Sequence, residues 1–135
     1  MTQNDKNLLL KDLSARLAYG VFCVGITYEL DDDGEKYIPV KVKNILTEIH
    51  NYKFETAYVR LGLISSCKLE TVKPCLRPIS SMTEEEKIDY QAFFNYDGVE
   101  YPEEYIDWLN AHHFDYRGLI EKGLAIEAPE DMYKI

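Results

Sequence analysis

A chain of 135 residues, 46% apolar and 29% charged, is one ordinary domain with enough apolar material for a core. Its net charge of −9 argues against direct nucleic-acid binding, because an acidic surface repels phosphate. No apolar run nears the roughly 18 residues of a membrane span, and the opening Met1-Thr2-Gln3-Asn4-Asp5-Lys6 lacks the layout of a signal peptide, so no membrane partner is expected and the sequence reads as cytoplasmic.

Residues 5–17 read as a first helix. Asn4 or Asp5 can cap it, Leu9, Leu10, Leu13, Arg16 and Leu17 recur at helical spacing, and Gly20 stands just past its end. The period then falls to two. Phe22, Val24, Ile26, Tyr28 and Leu30 alternate with Cys23, Gly25, Thr27 and Glu29. Residues 31–34 (DDDG) turn the chain. Residues 37–49 form a second strand, with Pro39 near its start favouring an edge. Ala57, Val59, Leu61 and Leu63 alternate again, Ser65 and Ser66 turn, and residues 67–73 make another short strand. Residues 73–78 (KPCLRP) read as a connector, since two prolines oppose regular structure and favour an extended path.

Helices follow. Thr83 and Glu86 form a capping box for a helix running to about residue 94. Residues 95–98 (NYDG) break it. Pro102 opens the next helix, with Glu103 and Glu104 in its first turn and Tyr105, Trp108, Leu109 and His112 on one apolar face. A last short helix is predicted at residues 116–122, ending at Gly123. The expected fold is α+β: an N-terminal helix, a small antiparallel sheet or half-open barrel, and two or three C-terminal helices. Residues 1–135 form a single domain, β-rich over about 18–73 and helical and acidic over about 83–124.

Charge follows that division. Residues 1–82 carry 11 basic and 10 acidic side chains, whereas residues 83–135 carry 4 and 14. An acidic C-terminal surface suits a basic partner or a solvated helical face. Cys23, Cys67 and Cys75 are odd in number and form no Cys-x-x-Cys, so they read as reduced, buried small hydrophobes.

Candidate chemistry concentrates in residues 107–119 (DWLNAHHFDYRGL), which hold the only Trp and both of the adjacent His. His112 and His113 point about 100° apart on a helix, and Trp108 and Leu109 occupy the positions a zinc helix would fill with His, so no metal is expected. His113, Asp115 and Arg117 have the types of a base, an orienting carboxylate and an anion clamp, but no Ser or Cys nucleophile lies nearby. The plainer reading makes Asp115 a cap and pairs Arg117 with an acidic neighbour. Glu29, Asp31, Asp33 and Gly34 lack the closing Glu of a calcium loop, Val40 standing in its place, and read as a hairpin turn. Arg77, Arg117, Tyr116 and His113 form the candidate ligand-binding set, since Arg clamps phosphate and Tyr stacks on a base. No cofactor is implied.

Three blocks resemble small hypothetical proteins of phages and prophages of gut bacteria. They are residues 11–21 (KDLSARLAYGV), 73–85 (KPCLRPISSMTEE) and 107–125 (DWLNAHHFDYRGLIEKGLA), about a third of the chain. The chain departs from that group at Ala18 and Cys75, where Pro and Tyr are usual. The resemblance implies a setting in a bacterial host cell and no catalytic residue. Three readings follow. The first is a non-catalytic accessory protein binding a small anionic ligand or a host protein, in its sharpest form a counter-defence sponge for a nucleotide second messenger held by Arg77 and Arg117. The second is an acidic protein-binding module, a nucleic-acid mimic or host-protein inhibitor. The third is a small phosphate-directed enzyme using His113, Asp115 and Arg117. Each is compatible with an oligomer.

Overall fold

The computed structural model describes residues 1–50 and 57–133. Helix α1 (Gln3–Arg16) starts earlier than its predicted Asn4 or Asp5 cap. Thr2 Oγ1 accepts the Asp5 N–H at 3.1 Å and the Asp5 carboxylate accepts the Thr2 N–H at 3.2 Å, so Asp5 is the third helical residue of a capping box. A single 3₁₀ turn and Gly20, at φ +69°, then reverse the chain into the sheet.

Strands β1 (Phe22–Leu30) and β2 (Tyr37–His50) form a long hairpin; β3 (Tyr58–Leu61) and β4 (Ser65–Lys68) continue the meander. Beyond the meander, residues 73–78 are not merely a connector. Lys73–Leu76 is strand β5, paired with β1 and placed between β1 and β8 (Ile126–Glu127). Pro74 is tolerated because it faces Cys23. Val21 O accepts from Leu46 N, so odd-numbered residues of β1 direct their backbone groups to β2 and ask nothing of Pro74. Pro39 also keeps a local edge, because β3 pairs with β2 only from Leu46 onward.

The fold is α+β, with a sheet of order β4-β3-β2-β1-β5-β8. It is mixed rather than purely antiparallel, since β8 runs parallel to β5. The sheet curls without closing. A Cβ on Gly25 of β1 would lie 3.0 Å from Cys67 Sγ of β4, so the absent side chain is what lets the two strands approach across the curl. Leu9 and Leu13 of α1 fill the concave side with Val21, Cys23, Leu46, Val59, Leu61 and Cys67.

After β5 the chain passes to α2 (Glu84–Gln91), capped at its start by the expected Thr83/Glu86 box but ending before residue 94. A small hairpin, β6 (Phe94–Asn95) with β7 (Gly98–Val99), leads to α3 (Pro102–Ala111). Met82, Leu109 and Phe114 anchor a second apolar cluster with Tyr90, Tyr105, Ile106, Trp108 and Tyr116. The predicted helix at 116–122 is not formed. Gly118, at φ +73°, breaks it, leaving one turn that Asp115 caps by accepting Leu119 N and Ile120 N at 2.9 and 3.0 Å. No helix among the described residues is long and apolar enough to cross a membrane.

Candidate functional site

The segment after α3 is a structural joint. His113 adopts φ +64°, a left-handed position, and Phe114 N bonds Leu109 O at 3.0 Å while His113 N bonds Asn110 O at 3.1 Å. That pattern ends the helix as a glycine usually would. Arg77 N then donates to His113 O, and Asp115 N to Arg77 O, both at 2.8 Å, tying the segment to the end of β5. Asp12 of α1 ties it from the other side. Its fully buried carboxylate takes Arg16 Nε at 2.9 Å and Arg117 Nη1 at 2.8 Å, while Arg16 Nη2 donates to Phe114 O at 2.6 Å.

The candidate ligand set is therefore not gathered at one opening. Arg117 is spent on Asp12 and lies 4.6 Å from the Tyr116 ring centre. Tyr116 donates its hydroxyl to Asn110. Arg77 clamps both oxygens of Glu86, at 2.6 and 2.8 Å, and sits 4.3 Å over the Phe114 ring. The Arg77 guanidinium holds the Glu86 carboxyl down at about 2, against the opposing effect of burial. His113 and Asp115 form no dyad, because both oxygens of Asp115 serve the following turn. His113 is buried, its ring stacks on Tyr133 at 3.7 Å, and its Nδ1 has no hydrogen-bond partner. Burial, with Arg16 and Arg77 adding to it, lowers its pKa to about 4, so it is neutral near pH 7. His112 donates from Nδ1 to Trp108 O at 2.9 Å. The adjacent histidines thus serve packing, and no metal-holding cluster occurs among the described residues.

A groove of about 820 Å³ runs beside this joint. Arg77, Glu86, Glu127, Glu130 and Tyr133 line it, and three of those five are carboxylates. Arg77 is already paired there, so the groove offers little to an anion.

A different surface carries an unpaired charge. The apolar row of β1 points away from the core: Cys23, Gly25 and Thr27 are buried, while Ile26, Tyr28 and Leu30 are 37%, 56% and 52% exposed. Cross-strand register places Ile45, Lys43, Lys41, Pro39 and Tyr37 beside Phe22, Val24, Ile26, Tyr28 and Leu30 on that same convex face. Lys73 of β5 stands opposite Val24. Val24, Ile26, Pro39, Lys41, Lys73 and Ile126 line a shallow bay of about 450 Å³. Lys41, Lys43 and Lys73 make no ion pair among the described residues, in a protein with an excess of acids. Sequence reasoning missed them. The available signal was the alternation Val40-Lys41-Val42-Lys43, a strand with one charged row. No family model, curated protein or solved structure matches the chain.

Proposed function

We propose that this protein is a non-catalytic accessory protein that binds a host protein through the convex face of its sheet. The observation that carries the reading is the uncovered row of Ile26, Tyr28, Leu30, Tyr37 and Ile45 flanked by the unpaired Lys41, Lys43 and Lys73. Contiguous exposed apolar side chains with a charged rim are the composition of a protein–protein surface. The sign of the rim calls for an acidic partner. The phage and prophage resemblance supplies the setting and makes a bacterial host protein the natural target. Arg77 and Arg117 already hold carboxylates of the fold, which moves the anionic contact from the candidate arginines to these lysines.

The test is capture of a bacterial host protein on the immobilised chain, followed by reconstitution with the purified captured species. Association should weaken steeply as salt rises, because exposed charges beyond about 10 Å are screened at 0.1 M. Reconstituted binding that is indifferent to salt overturns the reading.

A second reading rests on the acidic lobe. Tyr96 and Tyr101 are fully and largely exposed beside Asp97, Glu100, Glu103 and Glu104, and Tyr101 adopts φ +56°, a costly conformation outside glycine. This lobe suits a basic partner, as a nucleic-acid mimic would.

A further inference from the structure

The structure assigns a second copy of this chain to the open edge of β1, forming a symmetric dimer by strand pairing. The argument begins with backbone parity. Odd-numbered residues of β1 bond to β2, as Val21 O does with Leu46 N and Asp31 N with Lys36 O. Even-numbered residues therefore turn their N–H and C=O groups the other way. Phe22 N donates to Tyr133 Oη, and Ile26 N to Thr71 Oγ1, both on that far side. Strand β5 covers this edge only at Cys23 and Val24. The Ile26 carbonyl, both backbone groups of Tyr28 and the Leu30 N–H are left with no strand beside them among the described residues. An apolar strand edge with unpaired backbone groups is a template for another strand.

Self-complementarity points to a second copy. An antiparallel pairing centred on Tyr28 puts Tyr28 against Tyr28 of the partner subunit, giving two reciprocal N–H···O bonds. Leu30 N then meets the partner's Ile26 carbonyl, and the partner's Leu30 N meets the Ile26 carbonyl. Thr71 holds Ile26 N, so the partner's Leu30 carbonyl finds no donor there and the ladder has four bonds, two at Tyr28 and one from each Leu30 N. In this register the turn carrying Asp31, Asp32 and Asp33 runs toward the partner's Val24. There β5 begins, and the unpaired Lys73 stands. Acid meets base twice, once at each end of the twofold. Residues paired across an antiparallel ladder share a face, so Ile26, Tyr28 and Leu30 of both copies form one continuous apolar row. Such an isologous contact closes on itself and stops at two copies. It shares Ile26, Tyr28, Leu30 and Lys73 with the face assigned to a host protein, but Lys41 and Lys43 lie on β2, away from the edge, so their charge reversal tests the host-protein reading while Tyr28→Pro tests the dimer.

Sedimentation of the purified full chain over a wide concentration range tests it. The wild type should show a monomer–dimer equilibrium. Tyr28→Pro removes the two central donors without touching a bond to β2, and should weaken the dimer about thirtyfold. Lys73→Glu should weaken it about threefold through surface repulsion, and adding Asp32→Lys to that variant should recover the loss. A wild type that stays monomeric at every concentration overturns the proposal. A dimer unaffected by both Tyr28→Pro and Lys73→Glu overturns it as well.

Discussion

His113 shows how one side chain mixes legible and illegible information. Its place near the end of α3 follows from Pro102 and the helical spacing. Its left-handed backbone does not, because His at that position departs from the glycine rule, and its partner Tyr133 lies 20 residues further along the chain. The buried neutral ring has a consequence for stability. Its folded pKa of about 4 lies below the unfolded value near 6.5, so the unfolded state binds the proton more readily between those values. Stability due to this group is complete above pH 6.5 and falls by about 1.4 kcal/mol per pH unit as the solution is acidified toward 4. Urea unfolding at pH 7 and pH 5 should show that loss in the wild type. His113→Asn keeps a side chain that tolerates the left-handed region and should show a clearly smaller difference between the two pH values. An equal pH dependence in the variant contradicts this account of His113.

At the scale of elements, the helix signals were the readable ones. Thr83 with Glu86, Pro102 and Gly20 all act through local backbone chemistry, which sequence spacing exposes directly. Strands β5 and β8 were hidden for the opposite reason. Pro74 disguises the first, and the second is two residues long and exists only because residues 112–128 are brought back to the end of β5. The element that holds that return is Asp12, a buried carboxylate between Arg16 and Arg117. Asp12→Ala leaves Arg16 as an uncompensated buried cation and should destabilise the protein by about 3–5 kcal/mol. Denaturant unfolding reads this directly. A loss below about 1 kcal/mol would mean that the joint between α1 and the segment after α3 does not depend on the ion cluster.

For the molecule as a whole, sequence alternation fixed which side chains of β1 share a face and left open which face turns inward. Tertiary packing decides that. Only the row containing Gly25 lets β4 come within contact, so the smaller residues face the core and the larger apolar row faces out. The concentration of His, Trp and Arg in residues 107–119, which marked the candidate site in the sequence, is mostly interior architecture: Arg117 pairs with Asp12, the His113 ring stacks on Tyr133, and Trp108 joins the cluster around Phe114. What remains uncommitted is the lysine-bordered convex face. Its role is the central claim, and paired charge reversals test it against the acidic lobe. Binding of the captured host protein to Lys41→Glu/Lys43→Glu and to Glu103→Lys/Glu104→Lys should be measured side by side by calorimetry. The first variant should lose most of the affinity and the second should retain it; intact binding by the first, with loss in the second, would contradict the account and move the interaction to the acidic lobe.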